Sequence, residues 1–134
     1  MKTLTREDKV KEFRDAAGKT VFSTSFPEDK SILTGIIEEL EEFEEAIEDY
    51  KEALSGYLYG LSVEQARANL CKEWADLAYV VSQAALYYDI PADESFNRVH
   101  VSNMTKVVEG KVLFRKDGKI LKPDTYQAPN MKGL

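Results

Sequence analysis

Apolar residues recur at helical spacing in four stretches of the chain. In residues 4 to 17, Val10, Phe13 and Ala17 share one face, and Gly18 is placed to close the helix. From Ser31 to Leu54 the apolar positions are Leu33, Ile36, Ile37, Leu40, Phe43, Ile47, Tyr50 and Leu54. They form one continuous stripe, which Gly56 and Gly60 interrupt. Ser62 and Gln65 have capping-box spacing and open a third helix. Its stripe is Val63, Ala66, Leu70, Trp74, Leu77, Val81 and Tyr88. The segment LAYVVSQAALYY is apolar on more than one side, which implies burial between several helices or in a dimer interface. Pro91 stands at a fourth helix start. Phe96, Val99 and Val107 align behind it, and Gly110 ends the helix. Asp117-Gly118, between VLFRK and KIL, suits a hairpin turn. Phe22 and Phe26 sit on the loop after the first helix and read as core plugs or as part of a pocket. The pattern predicts one all-α domain over residues 1–134: an antiparallel four-helix bundle with a short irregular or hairpin tail, oligomeric through its wide apolar faces.

Composition narrows the setting. A chain of 134 residues suits a single core. No apolar run is long enough to span a membrane, and charges occupy the start where a signal peptide is apolar. The single cysteine, Cys71, has no internal disulfide partner. These features predict a reducing, cytoplasmic compartment.

Charge is unevenly spread. The net charge is −6, yet residues 106–134 carry seven bases against three acids, leaving −10 on the remainder. Such a chain lacks the broad basic face that duplex nucleic acid requires. It suits a small anionic ligand held between metal ions and basic side chains.

The acids are densest in IIEELEEFEEAIEDY, residues 36–50, where eight carboxylates meet no base. On a helical projection Glu39 lies about 70° from the centre of the apolar stripe and Glu42 about 130°. Glu38 lies beside Glu42. Glu41, Glu45 and Glu48 point to solvent, and Glu44 flanks the stripe's other edge. The third helix repeats the first two offsets with Glu73 and Asp76, again about 70° and about 130° from its stripe. Packed antiparallel, the two pairs face one another. Four close carboxylates repel unless a cation neutralises them, and all-oxygen ligation suits Mg2+, with Mn2+ as a substitute. A di-iron bundle wants Glu-x-x-His on two helices, and the only histidine, His100, lacks that setting. On the fourth helix Asn103 falls within the stripe of Phe96, Val99 and Val107, with Lys106 on the same side. A buried amide needs partners, and phosphate or ribose is the contact expected here.

EELEE followed by EWAD resembles the E-E-x-x-E and E-x-x-D signature of the all-α nucleoside triphosphate pyrophosphohydrolases. These are the MazG-like proteins and their relatives, including phosphoribosyl-ATP pyrophosphohydrolase and dimeric dUTPases. VKEFRDAAG, ADLAYVV, VHVSNMTK and DGKILKPDTYQAP extend the resemblance over nearly the whole chain. It implies that Glu39, Glu42, Glu73 and Asp76 coordinate Mg2+. It implies that Glu38 is a general base, an outer-shell group or a second-metal ligand. Asn103 and Lys106 would contact the nucleotide, and Lys119, Lys122 and Tyr126 its phosphates. The implied reaction cleaves a nucleotide between its α and β phosphates, giving a monophosphate and pyrophosphate, in a homodimer or homotetramer. Two departures stand out. About thirty residues separate Glu42 from Glu73, more than in compact members, and Arg14 stands where some relatives carry a histidine. The alternatives are a phosphoribosyl-ATP pyrophosphohydrolase and a non-catalytic acidic helical binding protein.

Overall fold

A computed structural model describes residues 2–19, 25–56 and 60–134. Phe22 lies outside them, as do residues 57–59 of the long connection to the third helix. The helices are α1 (Arg6–Ala16), α2 (Asp29–Ser55), α3 (Val63–Tyr87) and α4 (Ala92–Met104). Among the described residues there is no strand, only two isolated antiparallel bridges. The chain is all-α with four helices, as the pattern predicts. It divides into two units, residues 1–89 and 90–134. No helix among the described residues is long and apolar enough to cross a membrane.

Local chemistry sets the helix ends. At α1 the Thr5 hydroxyl accepts from the Asp8 N–H at 3.1 Å, and the Asp8 carboxylate accepts from the Thr5 N–H at 2.9 Å. Ser62 and Gln65 make the same reciprocal pair at α3, at 3.1 and 2.9 Å, so the capping box read from the sequence is formed. Gly18 lies one residue beyond the α1 cap, with φ of +68°. There its N–H reaches the Asp15 carbonyl while the Lys19 N–H reaches that of Arg14, the paired closure that favours glycine. The start of α2 has no side-chain cap. Instead the Glu28 N–H donates to the Tyr87 hydroxyl, and the Tyr88 hydroxyl donates to the Asp29 carboxylate. That hydrogen bond pushes the Tyr88 phenol up to about 12. Phe26 packs on the same tyrosine pair, with ring centroids 6.2 and 5.4 Å away.

These contacts join the start of α2 to the end of α3. At the other end of the pair, the Arg67 guanidinium of α3 lies 5.8 Å from the Tyr50 ring of α2. The two helices therefore run antiparallel. Their seam is not the stripe of large apolar residues. The buried residues of α2 are Ile32, Ala46 and Ala53, and those of α3 are Ala66, Glu73 and Tyr87. With Glu39 and Val80 they fall at 32, 39, 46, 53 and at 66, 73, 80, 87. A repeat of seven is the spacing of two helices that pack along their length. Alanine at three of these positions, 46, 53 and 66, lets the backbones approach closely at that end of the pair. Leu33, Ile37 and Leu40, by contrast, are 52%, 56% and 51% exposed. Periodicity marks an apolar face but does not say what the face meets.

α1 packs on α3 through buried Val10 and through Phe13, whose ring stands edge-on to Tyr79 at 5.9 Å. Arg14 is 2% exposed. It donates to Gln83 Oε1 at 2.9 Å, pairs with Glu28 at 3.4 Å and lies 5.9 Å from the Tyr87 ring centroid. One buried guanidinium thus ties α1 to α3 and to the entry of α2.

In the second unit α4 stops at Met104, six residues short of Gly110. Glu109 and Gly110 have φ of +51° and +75°, and they form the turn between the bridged Val108 and Lys111. Two successive left-handed residues suit a two-residue hairpin turn, so Gly110 serves that turn rather than a helix end. The hairpin at Asp117-Gly118 forms as predicted, with Phe114 bridged to Ile120. Asp117 pairs with Arg115 at 2.6 Å and accepts from the Lys119 N–H at 3.1 Å. The Arg115 hydrogen bond, above all, holds its carboxyl below the usual range. The last residues are tied to α4. Buried Ser102 donates to the Gln127 carbonyl at 2.6 Å, and the Gln127 N–H donates to Thr105 Oγ1 at 2.9 Å. Arg98 donates to the carbonyls of Asn130 and Lys132 at 3.1 and 2.8 Å.

The seam makes a direct prediction. Ala66→Leu should lower the unfolding free energy by about 2 kcal/mol, because overpacking a close contact forces side chains from their rotamers. Ala68→Leu, on the exposed side of α3, should change it by less than about 0.5 kcal/mol. Chemical denaturation of the two variants checks this.

Candidate functional site

Glu39 and Glu73 are the two charged members of the seven-residue repeats, one on each helix. Glu42, one turn further along α2, joins them. One carboxylate oxygen from each of Glu39, Glu42 and Glu73 lies within 4.8 Å of the others. Glu73 is buried, Glu39 half-buried and Glu42 exposed. Oε2 of Glu39 and Oε2 of Glu73 are both buried and accept no hydrogen bond from any described residue. A buried carboxylate oxygen without a donor is costly. Glu42 registers the crowding: the Glu39 charge beside it, then hydrogen bonding to Glu73, raises its carboxyl above the usual range.

Those observations meet the requirements of a hard divalent cation. The donors are all oxygen, they lie close together, and two of the three carboxylates have a buried oxygen without a donor. The residues present fit such an ion.

The remaining expected residues are distributed as follows. Asp76 lines a cleft of about 320 Å³ together with Glu39, Phe13, Tyr79, Val80 and Gln83. Its carboxylate is held by Lys72 Nζ at 2.8 Å, and the same ammonium reaches Glu73 Oε1 at 3.2 Å. Asp76 first, and then Glu73, raise the Lys72 pKa above its ordinary value. Glu38 is exposed, outside the converging group. Asn103 is exposed rather than buried, and Phe96 is 74% exposed. The stripe that was to bury Asn103 loses Val107 when α4 ends early, and the tail covers Ser102 instead. Asn103 nonetheless has company within its own unit. Lys106 donates to its Oδ1 at 3.1 Å, and Lys106 and Lys122 lie 5.6 and 5.0 Å from the Tyr126 ring centroid. Lys119 sits in the hairpin with its N–H on Asp117. Trp74 lines an apolar groove with Phe43, Ile47 and Leu70, on another side of α3.

Sequence reasoning missed the Arg14 neighbourhood. Val80 and Gln83 also line a second recess, of about 200 Å³, whose other walls include Arg14, Lys19, Glu28, Ser31 and Gly35. Its signal was a charge on an apolar line, since Arg14 follows Val10 by four residues. A Cβ at Gly35 would meet nothing within 4 Å, and Val80 and Gln83 line both this recess and the cleft of Glu39 and Asp76.

An all-α fold with carboxylates converging from two antiparallel helices defines the class: a hydrolase that acts on phosphoric anhydrides, in the MazG-like nucleoside triphosphate pyrophosphohydrolase superfamily. The chain belongs to the phosphoribosyl-ATP pyrophosphohydrolase family, whose model matches residues 7–103. The match includes Glu38, Glu39, Glu42, Glu73, Asp76 and Asn103 and stops short of Lys106, Lys119, Lys122 and Tyr126. No curated protein matches the chain.

A site kept at a cost to stability can be exposed by relieving that cost. Glu73→Gln should stabilise the chain in chelator by about 1 kcal/mol, because it removes a buried charge that is repelled by Glu39 and Glu42 and has one oxygen without a donor. It should also abolish any rise in melting temperature on adding Mg2+. Melting curves in chelator and in Mg2+ read both effects.

Proposed function

We propose that this chain is a Mg2+-dependent nucleotide pyrophosphohydrolase. It cleaves a nucleoside triphosphate between the α and β phosphates, releasing a monophosphate and pyrophosphate. The observation that carries this reading is the convergence of Glu39, Glu42 and Glu73 with two buried oxygens lacking donors. Glu39, Glu42, Glu73 and Asp76 would hold Mg2+, with Mn2+ as a substitute. When bound, the ion supplies positive charge where the phosphate oxygens gain negative charge in the transition state. Glu38, exposed at the rim, would take the proton of the attacking water, and Glu39 would orient that water while it holds the ion.

The recess gives the rest of the substrate a place. Gly35 and Ser31 lie one and two turns before Glu39, so the recess begins about 6 Å along the helix and extends to about 12 Å. That span suits a sugar followed by a base. Ile32 and Val80 offer apolar walls, while Gln83, Glu28 and Ser31 offer hydrogen-bonding groups. In the second unit, Asn103, Lys106, Lys122 and Tyr126 form one cluster. With Lys119 they are proposed to bind phosphate or ribose groups. The half-exposed Leu33, Ile37 and Leu40 support assembly as a homodimer or homotetramer, since a contiguous apolar stripe on a monomer marks an interaction surface.

Phosphoribosyl-ATP is the second substrate reading, and the matched family favours it. It has the same anhydride and the same α–β cleavage. The test is a panel of ribo- and deoxyribonucleoside triphosphates and phosphoribosyl-ATP with Mg2+, read for orthophosphate and pyrophosphate separately. Pyrophosphate and a monophosphate are expected, with Glu39→Ala and Asp76→Ala each losing about 100-fold or more in kcat/KM. Orthophosphate as the only product, or full activity in both variants, would refute the assignment. A chain that binds no Mg2+ and turns over nothing would be the acidic helical binding protein instead.

A further inference from the structure

Lys72 stands apart from Arg67, the other base of α3. It is the one side chain among the described residues whose ion pairs reach the acidic group, at Glu73 Oε1 and Asp76 Oδ2. It serves only the α3 half of that group. Glu39 Oε2 and Glu73 Oε2 remain without donors. The Lys72 side chain is 65% exposed, so it can swing away into water. We propose that Lys72 is the built-in counter-ion of the metal-free site and competes with a divalent cation for the charge of Glu73 and Asp76. The inference rests on the proposed metal-dependent function and adds a residue that the acidic signature does not contain.

The physical argument is one of competition. Two carboxylates on one helix face repel each other, and both face Glu39 or Glu42 across the seam or cleft. One monovalent cation on the outer side offsets part of that repulsion while the site waits. A divalent ion held by the same two carboxylates competes with it, because a carboxylate whose charge is shared with an ammonium is a poorer ligand. Lys72 therefore has opposite effects on the two states. It stabilises the metal-free chain and weakens the holding of the ion.

The test uses Lys72→Met and Lys72→Gln, with Lys72→Arg as the conservative variant and Lys51→Met as the control. Lys51 is equally exposed, at 64%, and pairs with Glu48 at 3.2 Å, away from the converging group. Mg2+ affinity is measured by calorimetry on the whole chain without nucleotide, and melting is recorded in chelator. Loss of the lysine should tighten Mg2+ binding about threefold, the size expected when an exposed lysine is lost from its ion pairs, and should lower the melting temperature in chelator. Lys72→Arg should stay near the parent value, and Lys51→Met should change neither quantity. Equal or weaker Mg2+ binding in both Lys72→Met and Lys72→Gln would overturn the proposal. So would an equal effect of Lys51→Met, which would show a general charge effect. A parent chain that binds no Mg2+ would overturn the metal-dependent reading and this inference with it, whereas a parent that binds and variants that do not differ overturn this inference alone.

Discussion

Repulsion between Glu39 and Glu73 is the constraint around which the first unit is arranged. Both residues sit in the seven-residue repeats that pack α2 on α3, where their neighbours are isoleucine, valine, alanine and tyrosine. An apolar pair at those positions would pack better and cost nothing in desolvation. The chain instead places carboxylates there, adds Glu42 within reach and leaves two oxygens buried without donors. Such a choice makes physical sense where a cation completes the group.

The rest of the unit compensates for that weak point. On one side of the carboxylates the seam is closed by small residues, Ala46, Ala53 and Ala66, that let α2 and α3 approach. On the other side it is closed by Tyr87 and Tyr88, which bond to the entry of α2, and by Arg14, which brings α1, Gln83 and Glu28 together. The acidic group thus lies between two well-tied ends, and Val80 and Gln83 line both its cleft and the polar recess. Rigid flanks of this kind hold ligand oxygens in place before any ligand arrives.

Much of this was legible in the amino-acid order. Ser62 and Gln65 announced the start of α3, Gly18 and Gly56 the ends of α1 and α2, and Asp117-Gly118 its hairpin. Glu39, Glu42 and Glu73 were found because their offsets matched on two helices, and the structure brings these three together. The seam itself was misplaced. Large residues such as Leu33 and Ile37 dominate a hydrophobic projection, but alanines decide how closely two helices pack, so Glu39 lies on the seam rather than beside it. Asn103 was misjudged for a related reason. Nothing in VHVSNMTKVVEG shows that Glu109-Gly110 would be taken by a hairpin turn, which ends α4 early and leaves the amide exposed. Arg14 and Lys72 depend on partners 69 residues away and one to four residues away. Only the second relation can be read locally.

The account stands on a single energetic claim, that Glu39 and Glu73 repel until a cation joins them. A double-mutant cycle with Glu39→Gln and Glu73→Gln measures it, using unfolding free energies in chelator and in saturating Mg2+. The account predicts a repulsive coupling in chelator that reverses sign in Mg2+. A coupling of the same sign and size in both conditions would contradict it.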